Sequence, residues 1–353
     1  MSVSQQVGAA VGAHLVGGLK APDADTAMRT AARLLGGHLR AITDGETGDR
    51  SQWIWWQIGK LTALDGIDLA GTHGAEDADN EEYAEFPALA VDPSVTEIPS
   101  RALGYADAAE ASYEIFRGLR GEGVVADDMR FQVSIPTPYA TVIAWVEEDV
   151  QERFFGIYAD AIAAEVAAIA EIVGPDDLSL QYDVAVEIGA LTGNMPAAGK
   201  LGTKDFVIES LRDVVARTPK GVERGVHFCY GDYKHRHFTV PQDLSLCVEL
   251  ANAVSGSADF VHMPVDRETG RKPEYFEPLR DLNASRLALG VIDYEGDEAR
   301  TRELAEAAVA GSGGAEFAVA TECGMARIDE RGGDGPTLER LLELHAAVAA
   351  PIR

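Results

Sequence analysis

The residues of this chain best suited to chemistry stand in Gly225-Val226-His227-Phe228-Cys229-Tyr230. On a strand, residues two apart share a face, so His227 and Cys229 present an imidazole and a thiol side by side. A second thiol, Cys323, stands in Thr321-Glu322-Cys323-Gly324, just past the apolar run EFAVA, where Gly324 lets the chain turn at once. Thiolate and imidazole are the donors zinc prefers, and three protein ligands plus an open position is the catalytic pattern. A His-x-Cys pair alone is weak evidence, because such a pair also packs inside a barrel core. Cys247 differs: it falls in the helical pattern LSLCVELANAV and reads as core. His262 ends the run Ala258-Asp259-Phe260-Val261-His262 and is a candidate fourth ligand. Its alternatives are a substrate contact or a core hydrogen bond. His235 and His237, in KHRHF, read as a solvated loop.

Carboxylates form a second set. Asp44 and Glu46 lie beside glycines in Thr43-Asp44-Gly45-Glu46-Thr47-Gly48, a grouping that suits an amine, a metal-bound water or a sugar hydroxyl. The aromatic run Trp53-Ile54-Trp55-Trp56 follows, either as a pocket floor or as helix packing. Asp183 ends Leu178-Ser179-Leu180-Gln181-Tyr182-Asp183, where it serves the site or caps a helix. Arg327, in GMAR, suits a bidentate pair with a substrate carboxylate or with a neighbouring acid. Tyr139 follows the rigid Pro136-Thr137-Pro138 and is a candidate pocket residue.

These residues need elements to position them. Short apolar runs alternate with longer amphipathic ones, the pattern of strands and helices around a parallel sheet. Eight strands are expected at 11–17, 38–43, 129–134, 178–183, 224–230, 258–263, 286–292 and 316–321. Helices are expected at 24–36, capped by Asp23 or Asp25, at 150–173, stopped by Gly174-Pro175, and at 204–217, 241–254, 298–310 and 336–349. Eight such units close as a single-domain (β/α)₈ TIM barrel over 1–353, and every candidate above then falls at the end where these barrels keep their sites. Residues 64–103 break the rhythm and read as an irregular acidic excursion, a lid or rim loop.

The formal net charge of −28 repels nucleic acid and anionic lipid. No apolar run is long enough for a membrane span, and the N-terminus does not read as a signal peptide. Three cysteines, an odd and sparse count, argue for a reducing compartment, so a cytoplasmic protein is expected. Assembly into a homo-oligomer is compatible with this sequence.

The pattern resembles the C-terminal catalytic barrel of the cobalamin-independent methionine synthase family over nearly the whole chain. His227-Phe228-Cys229-Tyr230 resembles that family's zinc motif, and Thr321-Glu322-Cys323-Gly324 its last zinc cysteine. Asp44-Gly45-Glu46 resembles its Gly-Glu segment, whose Glu contacts the thiol substrate, and Gln181-Tyr182-Asp183 its Gln-x-Asp strand, whose Asp holds the substrate amine. The resemblance implies Zn²⁺, a small thiol and an alkyl donor. The chain also departs from it. The family's glutamate ligand falls near Met263-Pro264, with His262 as the available replacement. Its catalytic histidine falls near Asp293-Tyr294-Glu295, leaving Glu295 as the candidate there. Its carboxylate-holding Gly-Ser appears as Gly17-Gly18.

The leading expectation is zinc-dependent methyl or alkyl transfer to a thiol other than the family's own. A second is a zinc-dependent lyase, hydrolase or ether-cleaving reaction, with Glu46, Asp183 or Glu295 moving protons. A third is a metal-free barrel like uroporphyrinogen decarboxylase.

Overall fold

The structure, a computed structural model, describes residues 6–73, 86–195, 197–231, 236–328 and 335–352. Its strands are β1 (Ala10–Ala13), β2 (Ala41–Thr43), β3 (Ile67–His73), β4 (Phe86–Val91), β5 (Arg130–Pro136), β6 (Leu178–Val184), β7 (Glu223–Phe228), β8 (Phe260–Pro264), β9 (Leu287–Ile292) and β10 (Phe317–Thr321). Eight of them form one parallel sheet in the order β1-β10-β9-β8-β7-β6-β5-β2. A parallel bridge between Ala13 and Leu39 joins its two edges, with Ala13 N donating to His38 O at 2.8 Å. The sheet therefore closes into a (β/α)₈ barrel, and each of the eight expected strands is a barrel strand.

The reason lies in the strand sequences. All seven residues of β6 are buried, as in a parallel strand covered on both faces. Gln181 and Asp183 bond across the interior to Val16 and Trp53, while Tyr182 between them points outward to Thr218. One level of the interior is filled by the Phe260 ring. Gly225 on the neighbouring strand makes room for it, since a Cβ there would lie 2.0 Å from the ring.

Outer helices cover the sheet. Ala24–Leu35 begins where Asp23 accepts from Thr26 N at 2.8 Å, and Glu148–Val173 ends at Gly174, whose φ is 85°. Between β8 and β9 lies a 3₁₀ helix, Pro273–Asp281; in an α-helix the ring of Pro278 would clash with the carbonyl of Glu274. No described helix is long and apolar enough to cross a membrane.

The stretch 64–103 corrects the expectation of irregular chain. It contains an antiparallel ribbon, β3 with β4, whose pairs run from Ile67↔Val91 to His73↔Phe86. The acidic part between these strands lies outside the described residues. The helix Tyr105–Gly121, absent from the expected helices, then leads back to the barrel.

Gly225→Ala should lower stability by about 1–3 kcal/mol, because the Phe260 ring must leave its place. Urea unfolding checks this. Pairing it with Phe260→Leu should recover part of the loss, and strictly additive losses would contradict the steric account.

Candidate metal centre and its carboxylate pair

Strand register builds the site. Asp183 on β6 pairs with His227 on β7, and His227 pairs with His262 on β8. Three polar side chains thus stand level on adjacent strands. Cys229 follows β7 directly, its N–H held by Val184 O at 2.9 Å. Cys323 follows β10, where Thr321 Oγ1 donates to Cys323 O at 2.6 Å.

Among the described residues, His227, Cys229 and Cys323 are the group whose donor atoms converge, all within 4.8 Å of one another. The two Sγ atoms are 3.6 Å apart. That is far beyond the roughly 2.05 Å of a disulfide. Two thiolates about 2.3 Å from one tetrahedral zinc stand about 3.8 Å apart, so the thiols already have near-metal spacing. Burial keeps the histidines uncharged: it lowers His227 to about 3, with His14 adding, and takes His262 well below the usual histidine value. An uncharged imidazole is the form that ligates.

His262 does not join this group. Its Nδ1 lies 2.6 Å from His227 Nδ1, and its Nε2 lies 3.0 Å from Thr321 O. Two imidazole nitrogens on one zinc need about 3.3 Å between them, from bonds of about 2.0 Å. Cys247 is buried in its helix, Sγ 3.7 Å from Tyr230 OH, and burial pushes its thiol up to about 12.

The donor trio opens into a pocket whose empty space, mouth included, is about 960 Å³. Glu46, Asp183, Gly17, Gly18 and Arg327 line it, with an apolar wall from Trp53, Trp55, Phe86, Trp145, Met195 and Phe238. Trp55 meets Trp145 at 4.7 Å between ring centres with the rings tilted by 60°, and Phe86 reaches both from the ribbon. Asp183 accepts from Trp53 Nε1 at 3.1 Å and from Gln181 Nε2 at 2.9 Å. Burial nonetheless raises it to about 7, and raises Glu46 to about 8 with Asp183 as the next cause. Burial and mutual repulsion therefore both work against full ionisation of the pair.

Backbone strain presents this pair. Three described non-glycine residues have left-handed φ, and two of them, Glu46 (48°) and Trp53 (53°), line the pocket. The two glycines supply the space: a Cβ on Gly17 would lie 2.7 Å from Glu46 Oε1, and one on Gly18 would lie 2.8 Å from Ala326 Cβ.

Other candidates fall elsewhere. Asp44 does not line the pocket; it is buried and accepts from Arg50, from Ser112 Oγ at 2.6 Å and from Glu46 N at 2.9 Å, so it braces the turn that carries Glu46. Tyr139 is fully buried, its OH donating to Leu201 O at 2.9 Å, and packs in the core away from the pocket. Glu295 is exposed and paired with Arg267 at 2.9 Å, outside the pocket lining. Arg327 lines the pocket and donates to Ser51 O at 2.9 Å. His237 corrects the solvated-loop reading: it sits between Asp266 (3.5 Å) and Glu322 (3.2 Å), whose charges outweigh burial and raise it to about 10. His235 lies outside the described residues. The sequence names Gln181 within the Gln-x-Asp match without its bond to Asp183, which lies only two residues away, and gives no sign of Phe86 or Met195 as site-building residues.

Glu46→Gln tests the pair. Both carboxyls bind protons in the folded state that the unfolded chain, at about 4, has released. Stability should therefore fall as pH rises from about 4 to about 8. The variant should lose less than the wild type between pH 5 and pH 8.5 in urea unfolding; identical losses would contradict the raised value.

No protein-family profile and no curated protein matches the chain. Solved structures do share its fold. The B12-independent methionine synthase from Shewanella sp. W3-18-1, in complex with selenomethionine, superposes with a TM-score of 0.60 at 14% identity over 98% of this chain and 96% of that one. The putative vitamin-B12-independent methionine synthase from Listeria monocytogenes gives 0.54 at 17% identity, covering 97% and 98%. A methyltransferase from Methanosarcina mazei gives 0.53 at 14%, covering 96% and 93%. The chain has the barrel architecture that these proteins have.

Proposed function

We propose that the chain is a zinc-dependent methyl or alkyl transferase whose acceptor is a small thiol carrying a positively charged group. One observation carries the reading: two thiols at metal spacing and an imidazole open onto the same pocket as a carboxylate pair. The shared fold with methionine synthases, one of them holding selenomethionine, supports it.

Zinc held by His227, Cys229 and Cys323 would keep one position open and hold a thiol as thiolate at neutral pH. The remaining work belongs to the chain. Asp183, braced by Trp53 and Gln181, and Glu46 line the pocket as buried carboxyls that repel each other's charge, a repulsion that a substrate ammonium would relieve. The wall of Trp55, Phe86, Trp145 and Phe238 excludes water and strengthens that attraction. In the transfer, a sulfur–carbon bond forms as the bond from carbon to the donor breaks, and the electron pair leaves with the donor. A sulfonium or quaternary ammonium donor leaves as a neutral sulfide or amine, while a donor that leaves as an anion needs a proton, which a protonated Glu46 or Asp183 would supply. A reducing compartment keeps Cys229 and Cys323 as thiols.

A second reading has one observation in its favour. Carboxyls near 7 and 8 also suit acid–base work in a zinc-assisted lyase or hydrolase. Labelled methyl separates the two: on a thioether it marks transfer, in an alcohol it marks hydrolysis.

The test incubates zinc-loaded protein with isotope-labelled folate, sulfonium and quaternary ammonium methyl donors and a panel of thiols with and without an amine. Thioether should form, and Cys323→Ser should cut the rate at least about 100-fold. Asp183→Asn should raise KM for aminothiols about 10- to 100-fold, the worth of a charged hydrogen bond, and leave amine-free thiols nearly unchanged. No thioether from any pairing would sink the reading, and equal losses on both thiol classes would remove the ammonium assignment.

A further inference from the structure

We infer that His262 is a positioning residue that sets the tautomer of His227, so that His227 turns Nε2 toward the metal. The inference rests on the zinc reading above.

The argument follows protons. Thr321 O is a carbonyl and can only accept, so the contact from His262 Nε2 at 3.0 Å requires the proton on Nε2. The partners of this fully buried ring are a carbonyl and an imidazole, and neither is an anion that would hold a second proton on it, so Nδ1 carries a lone pair. That lone pair lies 2.6 Å from His227 Nδ1, which must supply the proton between them. An imidazole that ligates a metal is neutral, so with its proton on Nδ1 the lone pair of His227 lies on Nε2. One backbone carbonyl thereby determines the donor atom two residues away in the chain of bonds.

The fold keeps this path open. Strand β9 lies between β8 and β10, so His262 must reach across it to Thr321. Gly290 on β9 lets the end of β10 close in, since a Cβ there would lie 3.2 Å from Thr321 O and 2.7 Å from Glu322 Cα. Thr321 also grips Cys323 O through its hydroxyl. The segment that carries one sulfur ligand therefore also orients the nitrogen ligand, and the two are positioned by one strand end. Such outer partners of a ligating histidine fix ring orientation and raise its basicity.

The first experiment uses the metal-free wild-type protein with labelled histidine. Long-range ¹⁵N–¹H correlation should show His227 protonated on Nδ1 and His262 on Nε2. His227 protonated on Nε2 would overturn the inference, whether or not the protein binds zinc. The second measures zinc affinity by chelator competition. His262→Leu should weaken binding about 10- to 100-fold. His262→Gln offers a donor to Thr321 O and an acceptor to His227 on one planar group, and should recover most of that loss. Equal affinity in His262→Leu and wild type would overturn the inference. Failure of His262→Gln to recover any affinity would do the same, pointing to direct ligation. Wild-type protein that takes up no zinc would instead sink the proposed function and leave the tautomer result standing.

Discussion

The level register of β6, β7 and β8 is the constraint on which the mouth of this barrel depends. It sets Asp183, His227 and His262 side by side on one interior face. Had β7 slipped by one residue, His227 and Cys229 would have turned outward to the helices and Phe228 inward. The register is protected by what lies beneath. Phe260 fills the lumen against Gly225, and Gln181 ties β6 to Val16 and Ser134. A packed lower layer therefore supports a polar upper one.

The polar layer is tolerable because each member has a partner. His14 bonds Gln181 at 2.8 Å, Gln181 bonds Asp183, and His227 bonds His262, which bonds Thr321 O. Burial and neighbouring charge then divide the groups by role. Burial favours the uncharged form of the His227 and His262 imidazoles, which suits a metal, and works against full ionisation of Glu46 and Asp183 beside an aromatic wall. Small residues make this density possible: Gly17 and Gly18 leave space for Glu46 and Ala326, and Gly324 packs with its Cβ direction 3.0 Å from Gly18 N.

Much of this was legible in the residues. The eight strands followed from apolar runs between turn signals, because parallel strands buried on both faces read as near-continuous apolar stretches. His227 and Cys229 followed from two-residue periodicity, and Cys323 from its place after a strand. Partners at long range were not legible. Trp53 donates to Asp183 across 130 residues, and Ser112 to Asp44 across 68. Asp44, Tyr139 and Glu295 stood at plausible positions by chain order, but which side of a turn a side chain takes depends on tertiary packing. The ribbon β3–β4 was hidden by its acidic connection, and with it the role of Phe86.

The central claim is that His227, Cys229 and Cys323 form one metal centre with a position left for a substrate thiol. X-ray absorption of zinc-loaded protein tests it most directly. The account predicts two sulfurs at about 2.3 Å and one imidazole nitrogen at about 2.0 Å, with a third sulfur appearing when an accepting thiol is added. A shell of oxygen and nitrogen alone, or one unchanged in Cys323→Ser, would contradict it.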